Sequence, residues 1–385
     1  EAGNHTVSYS IPAEYSITGE EVTKGVSANV YTSDGVYILN EPNMTGAESA
    51  RGINRHIFGT NTVDRFIIGD YTQFGTTSQY IANWAGVLYV IGSYPQAGVG
   101  FSSFNATTGD FIHAVKSVNG LGDAQVRAFA GITPEQGVIT TESGAYIVEL
   151  NGGNFSIGTQ AVKGTESGSR NVLVTDGYIF IISNGRAIAY KAEGFNENSE
   201  PIDLGGAQVG FVQSKDGNIW AADGNYSGNS MKTLLCINPK DLSTETKEIS
   251  AQVGFYSATW KQVAWAASTK ENALYFTPGG RSSLASSITK YDITTGTVTT
   301  EFKAKADMDD YCPYATALYY EPTRGELISS GIKGFGGQAA YNALHAFNDN
   351  GDKIWAVTYT NEGEYLDMCF PAMMVPIKNF SAPVR

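Results

Sequence analysis

The chain has 385 residues, of which 42% are hydrophobic and only 16% charged, and its net charge is −13. That is ample material for a large core, and an acidic balance without any Lys/Arg-rich run excludes nucleic acid and an anionic membrane face, which need a basic footprint. Three cysteines set far apart (Cys236, Cys312, Cys369) make neither a disulfide framework nor a spaced metal cluster, and no apolar run approaches the ~18 residues of a spanning helix.

The chain opens on Glu1 rather than Met, so a targeting segment is expected to have been removed. Residues 1–26 read as an N-terminal extension and 27–385 as a single domain, because no linker, low-complexity stretch or charge block interrupts the pattern that follows. Asn-x-Ser/Thr sites occur at Asn4, Asn43, Asn105, Asn154, Asn225 and Asn379, and would be glycan acceptors in a eukaryotic secreted protein.

From Asp34-Gly35 onward a turn followed by a short apolar strand recurs. The turns are Asp34-Gly35, Ala85-Gly86, Gln136-Gly137, Asp176-Gly177, Asp216-Gly217, Glu271-Asn272 and Arg324-Gly325. Their second residues advance by 51, 51, 40, 40, 55 and 53, the period of propeller blades. Gly and Asn suit these turns because a two-residue loop between twisted strands requires positive φ.

Each of the last six turns follows another apolar run: Gln79–Trp84, Gln125–Ile132, Arg170–Thr175, Gln208–Ser214, Gln262–Ala267 and Tyr314–Tyr319. These are the expected innermost strands, buried on both faces and apolar throughout. Outer hairpins turn at Phe104–Asp110, Ile237–Thr244, Tyr291–Gly296 and Phe347–Asp352, where polar turn formers separate alternating strands. Near the end, Asp367-Met-Cys-Phe-Pro-Ala372 repeats Asp310-Tyr-Cys-Pro-Tyr-Ala315, so Met373–Ile377 supplies one more inner strand. The fold expected is all-β: seven four-stranded blades with the C-terminal strand closing the first blade and hiding its edge. Ser27–Tyr31 also has the pattern of an inner strand, which leaves eight blades open.

Counting strands outward, first-to-second and third-to-fourth turns share one end of such a ring and are short here. The other connections, at the opposite end, are long: Glu41–Arg55, Ser93–Gly100, Asp223–Lys232, Pro278–Ser287 and Gly331–Asn342 follow second strands. Gly69–Ser78, Asn119–Ala124, Ala251–Lys261, Lys305–Pro313 and Asn361–Phe370 lead into first strands. Loops on a rigid scaffold are where binding groups sit. The candidate ligand-binding residues are therefore Tyr71, Phe74, Tyr94, Tyr226, Tyr256, Trp260, Arg281, Asp310, Tyr311 and Phe335, an aromatic set suited to a sugar ring or a corrin-type macrocycle. The alternative for any one aromatic is a small satellite core under its own loop; Trp84 and Trp220, within strands, read as core.

Catalytic resources are thin. His5, His56, His113 and His345 are scattered, none at ligand spacing, so no metal site is expected, and a Ser or Cys nucleophile lacks its usual base. Asp307, Asp309 and Asp310 in one loop and Glu362, Glu364 and Asp367 in the equivalent loop next door could run glycoside hydrolysis or hold Ca²⁺, but acidic loops on an acidic protein are usually just solvated. Cys312 and Cys369 hold equivalent positions in adjacent units, as small buried hydrophobes or as a disulfide. No catalytic residue and no cofactor is assigned, and binding is expected ahead of catalysis.

Several of these segments resemble a known family. Val36-Tyr-Ile-Leu-Asn-Glu41 is similar to its opening, Asn119-Gly-Leu-Gly-Asp123 to a second element, and Gly224-Asn-Tyr226, Pro313-Tyr-Ala315, Glu321-Pro-Thr-Arg-Gly325 and the Leu344–Trp355 hairpin follow in the family's order. The family is the Bacteroidetes surface lipoproteins with YVTN/quinoprotein-like propellers, some of which capture cobalamin. The resemblance implies a seven-bladed propeller, exported and held at the outer membrane and cell surface by a lipid anchor, or else periplasmic. It implies capture of a nutrient such as a corrinoid and a TonB-dependent transporter as partner, while the loop aromatics keep a glycan open as the ligand. The alternative on the same scaffold is an enzyme, either a carboxylate-dependent glycosidase or lyase or a quinoprotein-like dehydrogenase.

Overall fold

A computed structural model gives the fold. It describes residues 3–11, 22–30, 34–42, 52–69, 73, 77–93, 100–115, 126–175, 177–225, 230–253, 264–277, 287–304, 314–332, 342–358 and 369–377. Seven four-stranded antiparallel sheets form the blades of a β-propeller. Their inner strands, for blades one to seven, are Cys369–Ile377, Thr77–Trp84, Val126–Thr133, Ser169–Thr175, Val209–Gln213, Ala264–Ala267 and Tyr314–Glu321. Each packs against the next around the ring, and Cys369–Ile377 lies between Tyr314–Glu321 and Thr77–Trp84.

The core is divided among the joints between blades. Seven buried apolar clusters occur among the described residues, one for each pair of neighbours. A blade is apolar on both faces, so second strands such as Val36–Leu39, Val87–Ile91, Ile179–Ile182 and Ala273–Phe276 are buried without interruption. Hydrogen bonds tie the joints as well: Tyr80 Oη donates to Phe129 O at 2.9 Å, Asn83 Nδ2 to Pro376 O at 3.0 Å, and Tyr37 Oη to Ala106 O. Trp220 is fully buried as expected, and Trp84 spans a joint, donating to Thr133 O at 3.1 Å. Trp84 lies so close to Gly131 that a Cβ there would meet its ring at 2.1 Å, so only glycine fits. His345 is buried in a third strand, stacked on Phe347 at 6.1 Å.

The first blade is closed by the end of the chain. Cys369–Ile377 pairs with Gly35–Pro42 from Gly35↔Ile377 to Pro42↔Cys369, and the remaining strands are Gly52–Ile57 and Asp64–Ile68. With that inner position filled, Ser27–Val30 makes no eighth blade: it lies within Val22–Val30, which pairs with Gly3–Ile11 in a separate two-stranded hairpin. That hairpin spans the position between residues 26 and 27 at which the sequence divides extension from propeller.

Burial of phenols makes the fold sensitive to base. Burial pushes Tyr80 and Tyr89 up to about 12, and raises Tyr190, Tyr275 and Tyr320 as well, the last two further through Asp349. In the unfolded chain a tyrosine ionises near about 10. Between that value and about 12 the unfolded chain sheds protons that the folded one keeps, so stability present in full below pH ~10 is lost as the pH rises. Tyrosinate absorbance is therefore expected to rise together with loss of the β-sheet signal above pH ~10. Smooth titration of all tyrosines near 10 with the fold intact would contradict this packing.

Candidate functional site

The two ends of the ring differ. The connections between Pro42 and Gly52, Ser93 and Phe101, Val253 and Ala264, Thr277 and Ser287, and Ala304 and Tyr314 each join second to third or fourth to first strands, which assigns them by topology to one end. The ten candidate ligand-binding residues (Tyr71, Phe74, Tyr94, Tyr226, Tyr256, Trp260, Arg281, Asp310, Tyr311 and Phe335) lie outside the described residues, as do both acidic loops and Cys312. Two expectations about the connections need correction. The stretch 223–232 is mostly strand, with Asp223↔Thr233, Gly224↔Met231 and Asn225↔Ser230 paired, because the hairpin simply continues outward. At the opposite end, the connection 192–201 of blade four is long rather than short. It folds back beneath the joint with blade three, burying Phe195 against Tyr190 at 5.5 Å.

The described part of the loop-bearing end is the rim of blades three and four, where second-to-third connections shrink to Glu142-Ser143 and Asn184-Gly185. Here a cavity of about 350 Å³ opens, lined by Arg127, Glu142, Ser167, Gly168, Ser169, Arg170, Asn184, Gly185 and Gln208. Every one of these is polar, charged or glycine.

Inner-strand irregularity brings the arginines here. Pairing of inner with second strands slips between Val126 and Ala128 in blade three, between Ser169 and Val172 in blade four and between Val209 and Val212 in blade five. Corresponding slips lie at Ser78/Tyr80 in blade two and Ala315/Ala317 in blade seven. A bulge frees its extra residue from the ladder and re-aims it. In blades three and four the freed residues include Arg127 and Arg170, and both line the cavity.

A buried hydroxyl layer fixes the floor. Ser169, Ser183, Thr141 and Thr165 are all at most 3% exposed. Ser183 Oγ donates to Gly168 O at 2.8 Å, Thr140 Oγ1 to Arg170 O at 2.8 Å, and Thr165 Oγ1 accepts from Ala145 N at 2.9 Å. On the wall, Arg127 Nη2 meets Glu142 Oε1 at 2.9 Å, with the arginine side chain only 17% exposed. Among the described residues the lining holds two guanidiniums and one carboxylate.

Gly168 sets the rim's shape. Its φ is +103° and an added Cβ would sit 2.5 Å from Glu142 O, so an L side chain is disfavoured by both backbone and space. Gly168→Ala is expected to cost about 2 kcal/mol and to displace the 167–170 segment. A denaturant midpoint equal to that of the parent protein would contradict this geometry.

A family model described as a domain of unknown function, DUF5074, matches residues 32–376, the whole of the ring. The chain belongs to the DUF5074 family. No curated protein matches it. Among solved structures this DUF5074 chain is similar to a quinoprotein alcohol dehydrogenase-like protein from Bacteroides thetaiotaomicron, with a TM-score of 0.62 and 14% identity over 97% of this chain and 85% of that one. It is also similar to the extracellular domain of a putative hybrid two-component system from B. thetaiotaomicron, with a TM-score of 0.52 and 14% identity. There the match covers 92% of this chain but only 44% of that one. At this identity the likeness carries the propeller fold alone, and it agrees with the Bacteroides quinoprotein-like propellers to which the sequence is similar.

Sequence reading did not single out Arg127, Arg170, Glu142 or Gln208 as site residues in this DUF5074 chain. The available signal was a polar residue opening an apolar strand, as in Arg170–Thr175 and Gln208–Ser214; the aromatic loops outweighed it. No group of three or more His, Cys, Asp or Glu residues gathers as a metal site among the described residues. A second cavity, of about 390 Å³, lies at the outer turns of blades six and seven beside Lys290, Phe302 and Asp349. There Lys290 is engaged by Glu271 at 3.0 Å and by Asp349 O at 2.7 Å, which makes that place a structural joint.

Proposed function

We propose that this DUF5074 propeller is an exported, outer-membrane-anchored binding protein that captures a nutrient at its loop-bearing end and passes it to a TonB-dependent transporter. The observation that carries the reading is the preformed polar cavity at the rim of blades three and four, on the same end as the extended connections. Its size suits a sugar residue or two, within the range of small-molecule sites. Between the two ligand classes that the sequence suggests, the lining favours a glycan, since hydroxyls and amides match sugar hydroxyls whereas a corrin needs broad apolar contact. Export and surface anchoring are supported by the resemblance to surface lipoproteins and by the fold shared with an extracellular domain of a Bacteroides protein. Catalysis is the weaker reading, because among the described residues of the lining Glu142 is the one carboxylate and it is engaged with Arg127.

Titration calorimetry against a glycan panel and cobalamin tests the reading. A glycan is expected to bind saturably and to be recovered unchanged. Tyr226→Ala, Trp260→Ala and Arg281→Ala, which the sequence assigns to binding loops, should together weaken it by about tenfold or more. Cleavage or oxidation of the ligand would favour the enzyme, and binding indifferent to all three substitutions would remove those loops from the site.

A further inference from the structure

We infer that the joint between blades one and seven is an acid-sensitive latch, held shut by a neutral His56 and loosened when that imidazole gains a proton. His56 lies in Gly52–Ile57, the third strand of blade one, opposite Val36, and is 1% exposed. Across the joint its ring centroid is 5.1 Å from that of Trp355, on the outer strand Lys353–Thr358 of blade seven, and on its own side it is 5.8 Å from that of Phe58. His56 Nδ1 lies 2.9 Å from Thr62 O. A carbonyl only accepts, so Nδ1 carries the proton and donates it. A second proton goes to Nε2, and its charge arrives among aromatic rings.

The joint adjoins the closure of the ring. Phe58 N donates to Asp34 O at 2.9 Å and Asp34 N to Ile377 O at 3.0 Å, so the segment after His56 is tied to the C-terminal closing strand. Facing it from blade seven, the guanidinium of Arg324 sits over the Phe58 ring, with Cζ 4.8 Å from the centroid. An imidazolium at His56 sets like charge against that guanidinium. Asp64, on the next strand of blade one, favours the proton but is held by Arg55 at 3.0 Å. On blade seven, Glu326 accepts from Trp355 Nε1 at 3.0 Å, Glu321 accepts from the backbone N of Arg324, and Lys353 stands two positions before Trp355.

Burial holds the imidazole below the usual histidine range; Thr62 O and Asp64 oppose this and Arg324 reinforces it. In the unfolded chain a histidine ionises near about 6.5. Below that value the unfolded chain takes up a proton that the closed joint resists. Stability present in full above pH ~6.5 is therefore lost as the pH falls towards the lower, folded value. The latch lies beside the third-to-fourth turn of blade one, at the end of the ring opposite the long connections, and does not depend on what those capture.

Imidazole NMR and amide hydrogen exchange on the full chain, between about pH 8 and about pH 5, test the latch. The His56 resonance, assigned through its contact with the Trp355 ring, is expected to titrate below about 6.5. Opening of 52–58, 324–330 and 353–357, measured against the blade-four strand Tyr178–Ser183 in the same sample, should grow by up to about tenfold per pH unit below that value. His56→Gln should flatten this dependence. Arg324→Gln should raise the His56 midpoint and shrink the acid response, and it decides the matter even where His56→Gln fails to fold. A His56 midpoint at or above about 6.5, or one unmoved by Arg324→Gln, would overturn the inference. So would an acid response that survives His56→Gln, or one abolished by His345→Gln instead, which would place the sensitivity in the third strand of blade seven.

Discussion

Ending the chain before Cys369 is expected to abolish cooperative folding, although it removes only one strand of the ring. Cys369–Ile377 serves two joints at once. Met374 is buried with Val36, Ile328 and Leu344 towards blade seven, and Val375 with Tyr37, Leu88 and Val90 towards blade two. Its loss would also bare the edge of Gly35–Pro42 along eight antiparallel pairs, from Gly35↔Ile377 to Pro42↔Cys369. Each fully buried side chain contributes roughly 2 kcal/mol and each hydrogen bond about 1 kcal/mol. Together they rival the 5–15 kcal/mol that separates folded from unfolded domains, roughly speaking. The exposed strand edge would then pair with other copies. Circular dichroism and gel filtration should show a non-cooperative, aggregating product. A monomer melting as sharply as the full chain would mean that the ring does not depend on its C-terminal closure.

Asp349→Ala is the single substitution with the largest expected cost. The Asp349 carboxylate accepts from Tyr275 Oη and from Tyr320 Oη, each at 2.8 Å, and the two rings stack at 6.3 Å. Tyr275 belongs to blade six and Tyr320 to blade seven, so one buried carboxylate bridges a joint. Removing it takes the acceptor from two hydroxyls on rings that are 0% and 6% exposed, with Ser268 left beside Tyr320 Oη. At about 1–3 kcal/mol for each unsatisfied group, the loss should reach roughly 3 kcal/mol. Asp349→Asn, which keeps one acceptor oxygen, should cost about half as much. In a Tyr275→Phe, Tyr320→Phe background the alanine change should become much milder, because no hydroxyl is left unpaired. Denaturant midpoints measure all of this; a full penalty in the double-phenylalanine background would place the stabilisation elsewhere.

Most of the ring was legible because blades repeat and hairpin turns carry a chemical signature. Asp34-Gly35 and Ala85-Gly86 sit where the sequence puts them, and so do six inner strands and the closing one. The Gly3–Ile11 and Val22–Val30 hairpin escaped notice because its turn lacks that signature and its pattern resembles an inner strand. The long 192–201 connection was missed for a related reason: Phe195 is one apolar residue among polar ones, and only the joint it fills explains it. The rim cavity was hardest to see. A bulge leaves no mark in composition, so nothing in the letters distinguishes Arg127 from an ordinary surface arginine until the slip between Val126 and Ala128 is observed.

Amide hydrogen exchange on the full chain, with and without a bound glycan, tests the central claim most directly. Ligand should slow exchange in peptides covering 126–128, 141–144, 167–171, 184–186 and 207–210, around the lining of the rim cavity. Turns at the other end, such as Ala85-Gly86 and residues 238–243, should be unaffected. Protection confined to that opposite end, or to the outer turns at Asp292 and Asn350, would contradict the account.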